Sequence, residues 1–243
     1  MALERAKEII DIIAGQTDSI LLFHSLSGKD STVMLDLCHG RFKRIVCCYM
    51  YIVKGLESQE RFLVWAEKRY PGVRFVQVPS FILFSYIKTG LLGIKKNPKQ
   101  RLWTLAEITD KLREKLGIEW ACYGFKQSDS LNRRLMLRSY KDGKESICWK
   151  TKKFYPLSTY KNGDIIDYIQ NNNLKTPEAF GTKSQSYGVA VANPEYLSYL
   201  KQRWPDDLKK IYSVFPLARV VMTDYNNKKN NGEEDNRKQD SCH

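Results

Sequence analysis

Phe23-His24-Ser25-Leu26-Ser27-Gly28-Lys29-Asp30-Ser31-Thr32 decides how this chain is read. A strand-like apolar run, Ser19 to Phe23, enters it, and an apparent helix, Ser31 to Cys38, leaves it. A small-residue turn between strand and helix lets backbone N–H groups converge, and the helix adds the partial positive charge of its N-terminus. Lys29 contributes a full charge, so the stretch is expected to cradle an anion. It is not a Walker A loop, because Asp30 follows Lys29 where Ser or Thr would be needed and Phe23 occupies the upstream glycine position. Its other reading is an ordinary Ser/Gly turn with Asp30 or Ser31 as helix cap.

Working outward, strand-like and helix-like segments alternate. A helical stripe (Leu3, Ala6, Ile9, Ile10, Ile13) comes first. Strands are expected at Arg44 to Tyr51, Val73 to Val78 and Ile118 to Gly124, and helices at Ser58 to Tyr70 and Thr104 to Leu116, where Gly117 stops the second. This is a βαβ pattern, and it predicts an α/β fold, an open, mostly parallel sheet with helices on both faces. Ligands of such sheets bind beyond the C-terminal strand ends. The phosphate loop lies at one such end. A second, at Gly124, leads into Phe125 to Arg138, where Arg134 and Arg138 share a helix face and join Arg133 and Lys126 as a potential second anion site. A solvated basic helix face is the competing reading of those arginines.

The 243-residue chain carries a formal charge of +13. In residues 226–243 Lys228, Lys229, Arg237 and Lys238 are balanced by Glu233, Glu234, Asp235 and Asp240, so the excess belongs to the body. A basic body suits a polyanion, either a highly charged nucleotide or a nucleic acid, or a partner protein. No apolar run is long enough for a membrane span, and Glu4, Arg5, Lys7 and Glu8 break any secretory signal. The six cysteines form no CxxC pair, and adjacent Cys47 and Cys48 should point to opposite faces of a strand. Both observations favour the cytoplasm. The pattern divides the chain into an α/β domain (1–172), a mainly helical extension (173–225) broken at Pro205 and Pro216, and a disordered tail (226–243). The apolar stretch Phe81 to Ile94 is expected to be a core helix, and Lys95 to Arg101 a basic loop.

Lys29-Asp30-Ser31 also resembles the end of the pyrophosphate loop, Ser-Gly-Gly-Lys-Asp-Ser, of the ATP pyrophosphatase and phosphoadenosine phosphosulfate (PAPS) reductase superfamily. Leu26 stands where its first Ser would be, and Ser27 replaces its first Gly. The segment after Gly124, and Phe154 to Ile169 with its Pro156-Leu157 and Asp164-Ile165 pairs, are similar to stretches of PAPS reductases and the small subunit of ATP sulfurylase. The similarity covers most of residues 19–172 and looks closest to short PAPS reductase-like proteins of phages and mobile elements, which would act in a host cytoplasm.

The resemblance implies an adenine nucleotide alpha-hydrolase-like fold binding ATP or PAPS, with the phosphates held by Ser25, Leu26, Ser27, Gly28, Lys29, Asp30, Ser31 and Thr32. The base would lie near Tyr51, and Lys126, Arg133, Arg134 and Arg138 would complete the site. Lys29, Asp30 and Ser31 are the expected catalytic group, with Asp30 orienting Mg²⁺ or the loop. Adenylyl transfer from ATP, with pyrophosphate release, is preferred to thiol-dependent PAPS reduction. The reductases' Glu-Cys-Gly-x-His tail is matched only by Asp240-Ser241-Cys242-His243, and the paired cysteines of iron–sulfur relatives are missing, so no iron–sulfur cluster is expected. A nucleic-acid-associated accessory module that retains a nucleotide pocket is the third reading. Oligomeric state is not legible.

Overall fold

A computed structural model describes residues 3–24, 28–176 and 188–227. Ser25, Leu26 and Ser27 of the loop, Cys242 and His243, and nearly all of the tail lie outside the described residues. The elements run α1 (Glu4–Ala14), β1 (Ser19–His24), α2 (Lys29–Cys38), β2 (Arg44–Tyr51), α3 (Glu57–Arg69), β3 (Arg74–Pro79), α4 (Phe81–Thr89), α5 (Leu105–Leu116), β4 (Trp120–Tyr123), α6 (Leu131–Arg138), β5 (Ile147–Cys148), β6 (Lys153–Phe154), α7 (Asn162–Asn171), α8 (Pro194–Arg203) and α9 (Pro205–Val214).

The fold is α/β. Its sheet has the order β3-β2-β1-β4-β6-β5, parallel throughout except for the β5–β6 pair. β1 and β2 read as unbroken apolar runs because both of their faces are covered. Side chains alternate between two cores. Ile20, Leu22, Ile45, Cys47, Trp120 and Cys122 pack with α1, α2, α3 and α7, whereas Leu21, Phe23, Val46, Cys48, Ala121 and Tyr123 pack with α5 and α6. Cys47 and Cys48 thus take opposite faces. Local chemistry sets the helix ends. Thr104 and Glu107 close a reciprocal capping box on α5, Gly117 ends it at φ 62°, and Ser130 caps α6. Asp164 lies in the first turn of α7, where its carboxylate accepts from the N–H of Lys161, the residue before the helix, at 2.7 Å.

The chain groups into two compact units, one made of Met1–Tyr51, Gln59–Phe81 and Trp103–Gly188, the other of Ile52–Ser58, Ile82–Leu102 and Val189–His243. The first holds the sheet. The second buries Tyr196, Leu197 and Leu200 of α8 and Leu208 and Ile211 of α9, together with Phe215, Ala218 and Met222. There Pro205 opens α9, and Pro216 separates it from a further helical stretch, 218–227. The Asp207 carboxylate, 1% exposed, accepts from the Glu57 N–H (2.7 Å), the Ser58 N–H (2.9 Å) and the Ser58 hydroxyl (2.6 Å), capping α3 from outside its own segment. The apolar stretch at Phe81 differs from expectation. Of α4 only Leu83 is buried, and the helix is stopped by Gly90 at φ 76°, so it is a largely uncovered helix and not a core one. Among the described residues no helix is long and apolar enough to cross a membrane.

Candidate nucleotide site

β1 is flanked by β2 on one side and β4 on the other, so the winding of the chain reverses between β1 and β4. A crevice opens at the C-terminal ends of two such strands, and open α/β sheets bind ligands there. Phe23 of β1 pairs with Tyr123 of β4, which brings the two predicted strand ends side by side. Gly124 shows how close they come. A Cβ placed on it would lie 3.3 Å from Asp30 Cβ and 3.5 Å from Ser31 N. Only a residue without a side chain lets the exit of β4 approach the first turn of α2 so nearly.

Gly28 precedes α2, and Lys29, Asp30 and Ser31 form its first turn. Thr32 turns back, its hydroxyl donating to the Gly28 carbonyl at 3.1 Å, so its side chain serves the turn itself. Asp30 is the centre of a charge ladder. Its Oδ1 accepts from Lys126 Nζ at 2.6 Å, and its Oδ2 lies 3.3 Å from Lys29 Nζ. Lys126 Nζ also reaches Asp129 Oδ1 at 2.9 Å, and Arg133 meets Asp129 Oδ2 at 2.7 Å. Three cations and two carboxylates thus alternate from the helix terminus to α6. Burial alone would raise the Asp129 carboxyl, but the Lys126 amide and ammonium, with Arg133, outweigh it and hold that carboxyl below its usual range.

Both Asp30 oxygens face lysines, an environment suited to ordering the loop. No group of three or more His, Cys, Asp or Glu among the described residues is arranged to hold a metal ion.

The arginines are tied to the turn after β4. Arg133 also stacks its guanidinium 4.2 Å above the Phe125 ring. Arg134 Nε donates to the Gln127 carbonyl at 3.3 Å and Arg138 Nε to Gln127 Oε1 at 3.1 Å. Gln127 is itself anchored by donating to Glu145 at 2.8 Å. Lys126 does not stand among these arginines on the surface, because it is wholly buried. Tyr51 ends β2 at the same edge of the sheet, paired with Pro79 and accepting from the Ser80 N–H at 2.8 Å. The sequence reading missed Asp129 and Gln127. The i, i+3 spacing of Lys126 and Asp129 and the i, i+4 spacing of Asp129 and Arg133 were the signals that could have found the first.

No protein-family model matches the sequence, and no curated protein does either. Among solved structures, the chain is similar to the U34-tRNA thiolase NcsA from Methanococcus maripaludis with its 4Fe–4S cluster. The identity is 15%, over 89% of this chain and 77% of that one, with a TM-score of 0.48. This finding corrects the expectation that no iron–sulfur cluster is involved, since a similar solved structure carries one. Cluster ligands can be gathered in space from separate elements, so the lack of a CxxC pair was no ground for the exclusion. In the described residues Cys38, Cys47, Cys48 and Cys122 are buried core thiols and Cys148 is half-buried. Burial pushes the Cys48 thiol up to about 12 and Cys47 well above the usual range. Among the described residues these thiols are not grouped to hold a metal ion.

Proposed function

We propose that this protein is an adenine-nucleotide-dependent enzyme of the PAPS reductase-like kind, acting at the α-phosphate of ATP. It would transfer the adenylyl group to an acceptor and release pyrophosphate. One observation carries the reading: the C-terminal ends of β1 and β4 meet at the switch point of the sheet, and the first turn of α2 opens there beside Lys29.

In this reading the β- and γ-phosphates lie against the N–H groups at the start of α2, where the helix dipole and Lys29 offset their charge. An acceptor oxygen attacks the α-phosphorus. A new P–O bond forms, the bond to the bridging α,β-oxygen breaks, and pyrophosphate leaves with the electron pair while the acceptor's proton passes to solvent. Lys29 stabilises the charge that builds on the leaving group, and Asp30 keeps the turn in register. Alignment and charge stabilisation supply such a reaction's acceleration, with no protein nucleophile required.

The test is a calorimetric titration of the purified full chain with ATP·Mg²⁺ and with PAPS. ATP·Mg²⁺ is expected to bind at least about tenfold more tightly, roughly 1.4 kcal/mol, and Lys29→Ala should abolish the preference. A tenfold preference for PAPS would move the chemistry to sulfur-group reduction, and binding of neither would remove the nucleotide reading.

A further inference from the structure

Lys126 is the most unusual charged group in the first unit. Its side chain is 1% exposed, yet it bridges two carboxylates, Asp30 of α2 at 2.6 Å and Asp129 of its own turn at 2.9 Å. An ammonium stays buried only when ion pairs and hydrogen bonds replace its water. Lys29 is different. Its side chain is 25% exposed and its ion pair to Asp30 is long at 3.3 Å. Lys29 can turn to a ligand, whereas Lys126 is committed inward. The Asp30–Lys126 contact spans 96 residues of sequence and joins the end of β4 to the first turn of α2.

We propose that Lys126, held in place by Asp129, is a positioning residue of the nucleotide site. It neutralises the Asp30 carboxylate and fixes the first turn of α2, so that the N–H groups and Lys29 meet a phosphate already aligned. Without Lys126 the site would lose alignment, and Lys29 would be drawn to neutralise Asp30 instead of meeting a phosphate. The inference rests on the nucleotide reading for its consequence in binding, but the positioning itself is measurable in the free protein.

The experiment has two arms on the full chain. In the first, amide exchange is followed without ligand in wild type, Lys126→Met and Asp129→Asn. Exchange at the Thr32 N–H, which donates to the Gly28 carbonyl at 3.0 Å, should quicken by about tenfold or more in Lys126→Met, because the half-buried Asp30 carboxylate then keeps only its long contact to Lys29, while the later turns of α2 keep their protection. Unchanged exchange at the first turn overturns the proposal, whatever the ligand proves to be. In the second, ATP is titrated with and without Mg²⁺. Lys126→Met should weaken ATP about tenfold, most in the absence of Mg²⁺, and Asp30→Asn in that background should recover part of the loss. A purely structural lysine would instead give losses that multiply, and that result overturns the proposal. If Lys126→Met does not fold, Asp129→Asn decides: wild-type exchange and wild-type affinity in that variant sink the inference. Failure of wild type to bind ATP sinks the nucleotide reading alone, because the exchange arm still judges Lys126.

Discussion

Substituting Gly124 should separate stability from ligand binding. The Cβ of Gly124→Ala would lie 3.3 Å from Asp30 Cβ and 3.5 Å from the Asp30 carbonyl carbon. Carbon atoms rest at about 3.5–4.0 Å, so the first turn of α2 must give way by a few tenths of an ångström. Removing glycine returns about 0.4–1 kcal/mol through the unfolded chain, and overpacking costs about 1–3 kcal/mol, which leaves Gly124→Ala destabilised by about 1 kcal/mol. The movement falls on Asp30, whose Oδ1 must stay 2.6 Å from Lys126 Nζ. A misalignment worth about 1 kcal/mol there corresponds to roughly a fivefold weaker ATP·Mg²⁺ complex. Gly124→Val adds two methyl groups to the same gap and should cost about 3 kcal/mol and most of the binding. Urea denaturation reads the first quantity and calorimetric titration the second. A Gly124→Val protein with wild-type midpoint and wild-type Kd would refute the claim that this close approach sets the site.

Two further outcomes follow from hydrogen-bonded and ion-paired carboxylates. Asp207→Ala strips three hydrogen bonds of 2.6–2.9 Å from the start of α3 and should destabilise by about 3 kcal/mol, with Asp207→Asn losing less; a urea-derived loss under about 1 kcal/mol would show the cap to be dispensable. Asp129 titrates below its usual range in the fold, so its contribution is present above the unfolded carboxyl value of about 3.9 and fades as pH falls through the lower, folded value. The stability gap between wild type and Asp129→Asn should therefore be full at neutral pH and close in acid, and a gap that widens in acid would contradict the ladder.

Much of the architecture was legible because local signals agree. The apolar runs of β1 and β2, the Thr104–Glu107 capping box and the Gly117 stop each fix an element without help from distant residues. The helical breaks at Pro205 and Pro216 were read for the same reason. What sequence did not show was pairing between segments far apart. The turn after β4 carries Lys126 among several basic residues, and only the fold reveals that it points inward to Asp30 while Arg134 and Arg138 grip Gln127. The apolar composition of α4 suggested a core helix, but composition does not say which neighbours arrive to cover it. Cysteine spacing misled similarly, since a one-dimensional interval says nothing of which thiols meet in space.

The order of strands also sets an order in time. β1 can pair with β2 as soon as Tyr51 has been made, but its other edge waits for β4, about seventy residues further on. Closing so long a loop is entropically costly and slow relative to local structure. During synthesis α2 could therefore form long before its first turn acquires Lys126 and Gly124 as neighbours. The proposed anion cradle would accordingly be a late product of folding, completed when the chain doubles back to the middle of its own sheet. A nascent chain that has not yet released Lys126 from the ribosome would carry the whole first turn of α2 and still lack the lysine that pairs with its Asp30.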